Sequence, residues 1–288
     1  MKKIILTLLL CLPLFNFPLQ SVGASCGSND QSSKAREIIE KVFKAIDNIK
    51  TLKYNLRCTE RIGGKLIKTE SAVKLQISPR KLYLYVKGAE LLWVQDWNKG
   101  LALINPGGFP YFALNLEPEN TILRKDQHHT IHEMGFVYFQ GILKDAVKKV
   151  GNDFDKYFIL NGEEKANNRD CYKFTILNPD FAWVEYTVLK GEDILSIARK
   201  LSLSEYMILE NNPKHSSFKS VKEGDKINIP NTYAKMTEIF VDKLFHLPIV
   251  NKVYDDKGLF EQYDYNFLQV NPKIADEEFT RNYKDYHF

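Results

Sequence analysis

The chain has 288 residues, with 40 Lys and Arg against 36 Asp and Glu and a formal net charge of +4. Loss of Lys2 and Lys3 with an export leader leaves 38 basic against 36 acidic residues, a balance of +2. That near-neutral charge, with no basic block, excludes an electrostatic nucleic-acid binder. Beyond the leader, no run is long and apolar enough to cross a bilayer as a helix.

Lys2 and Lys3 precede an apolar run from Ile4 to Leu19, broken by Pro13, Asn16 and Pro18 and followed by the small residues Gly23, Ala24 and Ser25. This is the layout of a secretory signal peptide over 1–25. Cys26 follows directly. The run Val22-Gly23-Ala24-Ser25-Cys26 resembles a bacterial lipobox, with Gly23 where Leu is usual. Two readings stay open there: acylation of Cys26, or ordinary cleavage near Ala24 or Ser25.

Residues 26–33 are small and polar and read as a tether. Over Lys34 to Lys50, Ile38, Ile39, Val42, Phe43, Ile46 and Ile49 recur at helical spacing, so a helix is expected. The period then changes to two. Leu52, Tyr54, Leu56 and Cys58 alternate, Gly63-Gly64 turns the chain, and Val73, Leu75 and Ile77 alternate again. Leu82 to Val86, Leu91 to Trp97 and Leu101 to Ile104 continue an antiparallel meander. The segment Leu82-Tyr83-Leu84-Tyr85-Val86 is apolar on both faces, so its strand should be covered on both sides. A helical block is expected over about Asp126 to Val150, then strands near Tyr157 to Asn161 and Cys171 to Leu177.

The segment from Tyr186 to Pro230 changes character. Tyr186 and Val188 begin a strand, Gly191 turns it, and Ile194, Ile197, Ala198 and Leu201 mark a short amphipathic helix. Glu192 or Asp193 can cap that helix. A second helix begins near Ser204 and stops at Asn211-Asn212-Pro213, and Glu223-Gly224-Asp225 turns into the strand Ile227 to Ile229. This order resembles the LysM domain, a glycan-binding module with the pattern strand, helix, helix, strand. The resemblance implies a shallow site for N-acetylglucosamine glycan, chiefly peptidoglycan, between two loops. Carried over by position, those loops are Gly191, Glu192, Asp193 and Ile194, and Leu209, Glu210, Asn211, Asn212 and Pro213. Asp193 departs from the Thr or Ser usual in the family.

Strands resume at Met236 to Asp242, Ile249 to Tyr254 and Phe260 to Val270, so the module reads as an insertion. The N-terminal helix, the meander, the closing hairpin and the ending Asn271-Pro272 through Phe279 resemble the outer-membrane lipoprotein carriers of the LolA and LolB type. The resemblance implies an α+β fold: a curved antiparallel half-barrel with packed helices, open to a hydrophobic ligand. The expected domains are 34–182 and 232–288 for the half-barrel, with 183–231 inserted.

Cys58 and Cys171 could pair in an oxidising compartment or stay as buried thiols. His128, His129, His132 and Glu133 form the most enzyme-like cluster, because on a helix His128 and His132, and His129 and Glu133, would share faces. The order is not that of a zincin, so no metal ligand set is assigned and the expected role is a polar helix start. Tyr83, Tyr85, Trp93, Trp97, Tyr263 and Tyr265 are either core or pocket lining. Nucleophile motifs and phosphate loops are absent. The expectation is a non-enzymatic, exported envelope protein, periplasmic or outer-membrane-associated, without a cofactor. It would bind peptidoglycan through the inserted module. The alternatives are a lipid or lipoprotein carrier, and an accessory to a wall enzyme using the histidines.

Overall fold

A computed structural model describes residues 27–288. The leader and Cys26 lie outside the described residues.

Helix α1 runs Gly27–Asp47 and so takes in most of the segment read as a tether. Ile38, Ile39, Val42 and Ile46 bury one face completely, and that packing decides the helix more than the propensity of its first turn. Asn48 ends it by donating its side-chain amide to the Lys44 carbonyl. Strands β1 (Thr51–Ile62) and β2 (Lys65–Gln76) follow as a hairpin with a two-residue turn. Gly63 and Gly64 both have positive φ, as the tight turn matching strand twist requires. The meander continues through β3 (Lys81–Val86), β4 (Ala89–Val94), β5 (Ala102–Asn105) and β6 (Leu114–Leu116).

The expected long helix over 126–150 is shorter. A 3-10 turn spans Ile131–Glu133, and α2 begins only at Val137 and ends at Val150. Glu133 closes a capping box on Thr130. Gly135 then crosses the sheet at φ +91°, so close that a Cβ there would sit 2.7 Å from Leu75 Cδ2. Residues 126–130 themselves form turns and bends rather than a helix, so His128 and His132 share no helix face.

After α3 (Phe154–Tyr157) come β7 (Phe158–Ala166) and β8 (Arg169–Leu177). Next are β9 (Trp183–Thr187), α4 (Ile194–Leu201), α5 (Glu205–Glu210) and β10 (Lys226–Pro230), then β11 (Met236–Asp242), β12 (Pro248–Asp255) and β13 (Gly258–Val270). Eleven strands form one sheet in the order β6-β5-β4-β3-β2-β1-β13-β12-β11-β8-β7, and every pairing is antiparallel. The sheet curves round α1 and α2. One core runs from Leu91 and Ile104 near one edge to Phe158 and Phe174 at the other, with both helices inside the curve.

Strands β9 and β10 pair only with each other. With α4 and α5 they enclose a separate small core of Val188, Ile194, Ile197, Ile208, Ile227 and Ile229. This βααβ unit occupies the connection between β8 and β11, which pair directly. Where it leaves the sheet, Asn178 N–H donates to the Lys235 carbonyl and Asn231 N–H to that of Ala182, so entry and exit run side by side.

On the convex face, Tyr83, Leu92 and Leu103 lie under the C-terminal tail, with Phe279, Tyr286 and Phe288. Tyr83 stacks on Tyr286 with centroids 3.8 Å apart. Strand β3 is therefore covered on both sides, and the tail lays several aromatics over its convex face.

Candidate functional site

Between the concave sheet and α2 lies a cavity of about 120 Å³. Helix α2 supplies Tyr138, Phe139, Ile142, Leu143 and Ala146; the sheet supplies Leu56, Ile176, Ile239, Val253 and Tyr265. Each is placed by its local period: the inward residues of a strand on one side, one stripe of a helix on the other. The Asn251 side chain also lines the space, and its Oδ1 is buried without a protein partner. An unpaired acceptor in an apolar chamber is costly unless something donates to it.

One wall is polar. Alternation along β1 carries the inward phase from Leu52, Tyr54 and Leu56 through Cys58 to Glu60, and along β13 from Tyr265 through Tyr263 to Glu261. Glu60 and Glu261 stand directly opposite in the register. Both are buried, at 4% and 2% exposure. The Tyr263 hydroxyl donates to Glu60, and the Tyr233 hydroxyl donates to Glu261 Oε1 over 2.9 Å. His128, fully buried, places Nδ1 2.9 Å from Glu261 Oε2 and Nε2 2.9 Å from the carbonyl of Arg61. His129 places Nε2 3.3 Å from the same Glu261 oxygen and Nδ1 3.2 Å from Glu133 Oε2.

Burial works against charge on His129, but the Glu261 and Glu133 carboxylates outweigh it and hold its pKa well above the ordinary histidine value. Burial likewise works against Glu261, yet the two histidines keep it far below the usual carboxylate range. Burial drives the Tyr233 and Tyr263 hydroxyls well up, so both remain donors.

The βααβ unit rests against this wall. Its Tyr206 ring stacks on His128, centroids 4.4 Å apart, and Phe260 also stacks on His128 at 4.2 Å. Arg61 makes two bonds to Asp255 and two to Glu210 at the end of α5. Arg124 bridges Glu205 and the carbonyl of His128, both within 2.9 Å. Aromatic stacking and ion pairs thus fix the unit to the sheet.

The structure separates the residues expected to act together. Of the histidines, His128 and His129 join the polar wall, whereas His132 is exposed and set edge-on to Trp93 at 4.9 Å. Of the aromatics, Tyr263 and Tyr265 line the cavity, while Tyr85 and Trp97 are exposed.

In the glycan loops, Glu192 is held by Tyr186, Lys200 and the Leu189 N–H. Asp193 caps α4 by accepting from the Ser196 N–H, and Ile194 is core. Glu210 is tied to Arg61, and Asn212 is buried with its amide bonded to both backbone groups of Asn228. Gly191 and Pro213 are exposed, and Leu209 and Asn211 partly so.

Cys58 and Cys171 are free thiols. They sit on β1 and β8, four strand spacings apart in the sheet order. At about 4.8 Å per spacing the separation along the sheet is roughly 19 Å, against the roughly 6 Å between Cα atoms that a disulfide spans. Of the two readings left open for them, the geometry fits separate thiols.

Glu60 and Glu261 escaped sequence reasoning, although each falls in the inward phase of an otherwise apolar alternation. A carboxylate in that phase is the signal that could have found them.

No curated protein matches the sequence. Among solved structures the chain is similar to MucB, at 11% identity and a TM-score of 0.41, covering 86% of this chain; this chain spans 62% of that one. It is similar to LprF from Mycobacterium bovis at 10% identity and a TM-score of 0.41, covering 85% of this chain and 97% of that one. It is also similar to the LolA superfamily protein NE2245 from Nitrosomonas europaea, at 12% identity and a TM-score of 0.27, covering 86% of this chain and 98% of that one. Residues 49–182 match the family described as "Protein of unknown function (DUF1571)".

Proposed function

We propose that this is an exported, non-enzymatic binding protein whose curved sheet holds a hydrophobic ligand against α2. The observation that carries the reading is the cavity itself: apolar side chains from two layers, plus the unpaired Asn251 acceptor. Sites of this composition suit an apolar body with a hydrogen-bond donor at one end. Its size limits the occupant. An apolar cavity of about 150 Å³ takes a benzene-sized molecule, so about 120 Å³ fits a ring or the end of an acyl chain. A two-chain lipid would require α2 to move outward. Export rests on the leader over 1–25, and Cys26 would tether the protein to a membrane if acylated.

The test uses delipidated protein and a fluorescent fatty alcohol. Saturable binding near one molecule per chain is expected, with competition by unlabelled fatty alcohol. Ala146→Trp fills the chamber from α2 and should abolish the signal while circular dichroism stays native. Absent saturation, or equal binding by the filled variant, would overturn the reading.

A second reading concerns the βααβ unit, which would hold N-acetylglucosamine glycan as an inserted LysM-like module over 183–231. Its element order and the exposed Gly191 and Pro213 favour it. Retention on insoluble peptidoglycan, compared with a variant lacking 186–230, decides it. Equal retention would end it.

A further inference from the structure

We propose that Glu60, His128 and Glu261 form a binding site for a divalent transition-metal ion such as zinc, with His129 beside Glu261. The ligand atoms of the first three lie within 4.8 Å of one another. The Arg61 carbonyl only accepts, so His128 Nε2, 2.9 Å away, carries the proton. Nδ1 faces the Glu261 carboxylate across 2.9 Å, in the place where a metal ion would replace the shared proton. His129 repeats the pattern: Nδ1 donates to the Glu133 carboxylate and Nε2 turns to the same Glu261 oxygen. One imidazole nitrogen and two carboxylates thus converge on one buried point, with His129 Nε2 3.3 Å from the same Glu261 oxygen.

This is the arrangement of metal-ligating histidines, whose far nitrogen is fixed by a carbonyl or carboxylate that sets the tautomer. Imidazole and carboxylate together suit zinc and its neighbours better than magnesium or calcium. Charge points the same way. Like charges directly across a strand pair repel, and Glu60 stands directly across from Glu261. Among the described residues Glu60 has no cationic partner; its bonds come from the Tyr263 hydroxyl and the His128 N–H. The nearby arginines are committed elsewhere, Arg61 to Asp255 and Glu210 and Arg124 to Glu205. A dication would neutralise both carboxylates and pin β1, β13 and the 128–129 segment together at the polar end of the cavity. The inference does not depend on a hydrophobic ligand. The competing account is a cluster held by protons on the two imidazoles alone.

The experiment takes chelator-stripped protein made without a polyhistidine tag, loads it with zinc, and measures retained metal by elemental mass spectrometry after gel filtration. About one ion per chain is expected. Cobalt(II) as a second probe should give visible ligand-field bands. His128→Gln and Glu261→Gln should lose both signals. Glu133→Gln, which removes the carboxylate that orients His129 while Gln keeps an acceptor for the Thr130 N–H, should weaken affinity by roughly ten- to a hundredfold. His132→Gln should change nothing. Wild-type protein that sheds all zinc on gel filtration would overturn the site and leave the proton-held cluster. So would zinc retained equally by His128→Gln and Glu261→Gln. If those two variants fail to fold, the wild-type stoichiometry together with Glu60→Gln and Glu133→Gln decides the question.

Discussion

Replacing Arg61 with Met should cost far more than loss of a surface ion pair. The Arg61 side chain is 8% exposed, that of Asp255 is fully buried and that of Glu210 is 14% exposed. Arg61 also donates to the Leu259 carbonyl at 3.3 Å and lies 5.3 Å from the centre of the Phe260 ring. Without it, Glu210 keeps Lys257 at 3.7 Å, but Asp255 keeps only the Lys257 N–H and becomes a buried, uncompensated charge. Breaking such a pair from one side costs about 3–5 kcal/mol, against about 0–1 kcal/mol for an exposed pair. In a chain of this size 1 kcal/mol corresponds to about 2–4 °C, so Tm should fall by roughly 6–20 °C. Near-UV circular dichroism during heating provides the readout. Asp255→Asn in the Arg61→Met background should restore much of the loss, because it removes the stranded charge. A fall within about 2 °C for Arg61→Met, or no recovery in the double variant, would refute the claim that Arg61 compensates a buried charge on Asp255.

Two further outcomes follow from the structure. Glu278 ties the tail to the convex face through Lys74 at 2.7 Å and Lys53 at 3.1 Å. Burial opposes its charge, but the two lysines and the Ala275 N–H win and hold its pKa below the ordinary value. Its contribution is therefore present above the unfolded carboxylate pKa and lost as pH falls through the lower folded one. The Tm difference between wild type and Glu278→Gln should be constant near neutrality and shrink below about pH 4.3; a difference unchanged by acid would contradict it. Burial also pushes the Cys171 thiol up to about 11 and raises Cys58 further. Both should resist iodoacetamide at pH 8 in the folded protein and react within minutes in urea. Prompt labelling of the folded state would show the β1 or β8 region opening.

Period alone made much of the scaffold legible. Ile38, Ile39, Val42 and Ile46 announced α1, and the alternation of Leu52, Tyr54 and Leu56 fixed which face of β1 is inward. The doubly apolar stretch from Leu82 to Val86 signalled a covered strand. The cover proved to be the aromatic tail, because nothing local to Tyr286 or Phe288 says which surface they will reach. The helix expected across 126–150 failed at Gly135, where close passage over Leu75 overrides a local helical pattern.

The candidate site was half visible. His128 and His129 were noticed as a pair, but their partners lie more than sixty residues away on one side and more than a hundred and thirty on the other. The loops of the inserted segment looked open because their sequence is polar. Contact with the sheet then engaged Glu210 and Tyr206, and Asn212 was absorbed by its own unit.

By itself the sequence determined the elements and their inward faces, because hydrophobic period acts over a few residues. Only the tertiary structure decided that β1 and β13 lie side by side with Glu60 facing Glu261, that two cysteines four strands apart cannot meet, and that α2 stands off the sheet by the width of a cavity. Those outcomes depend on strand order and on packing between distant segments, which no local pattern encodes.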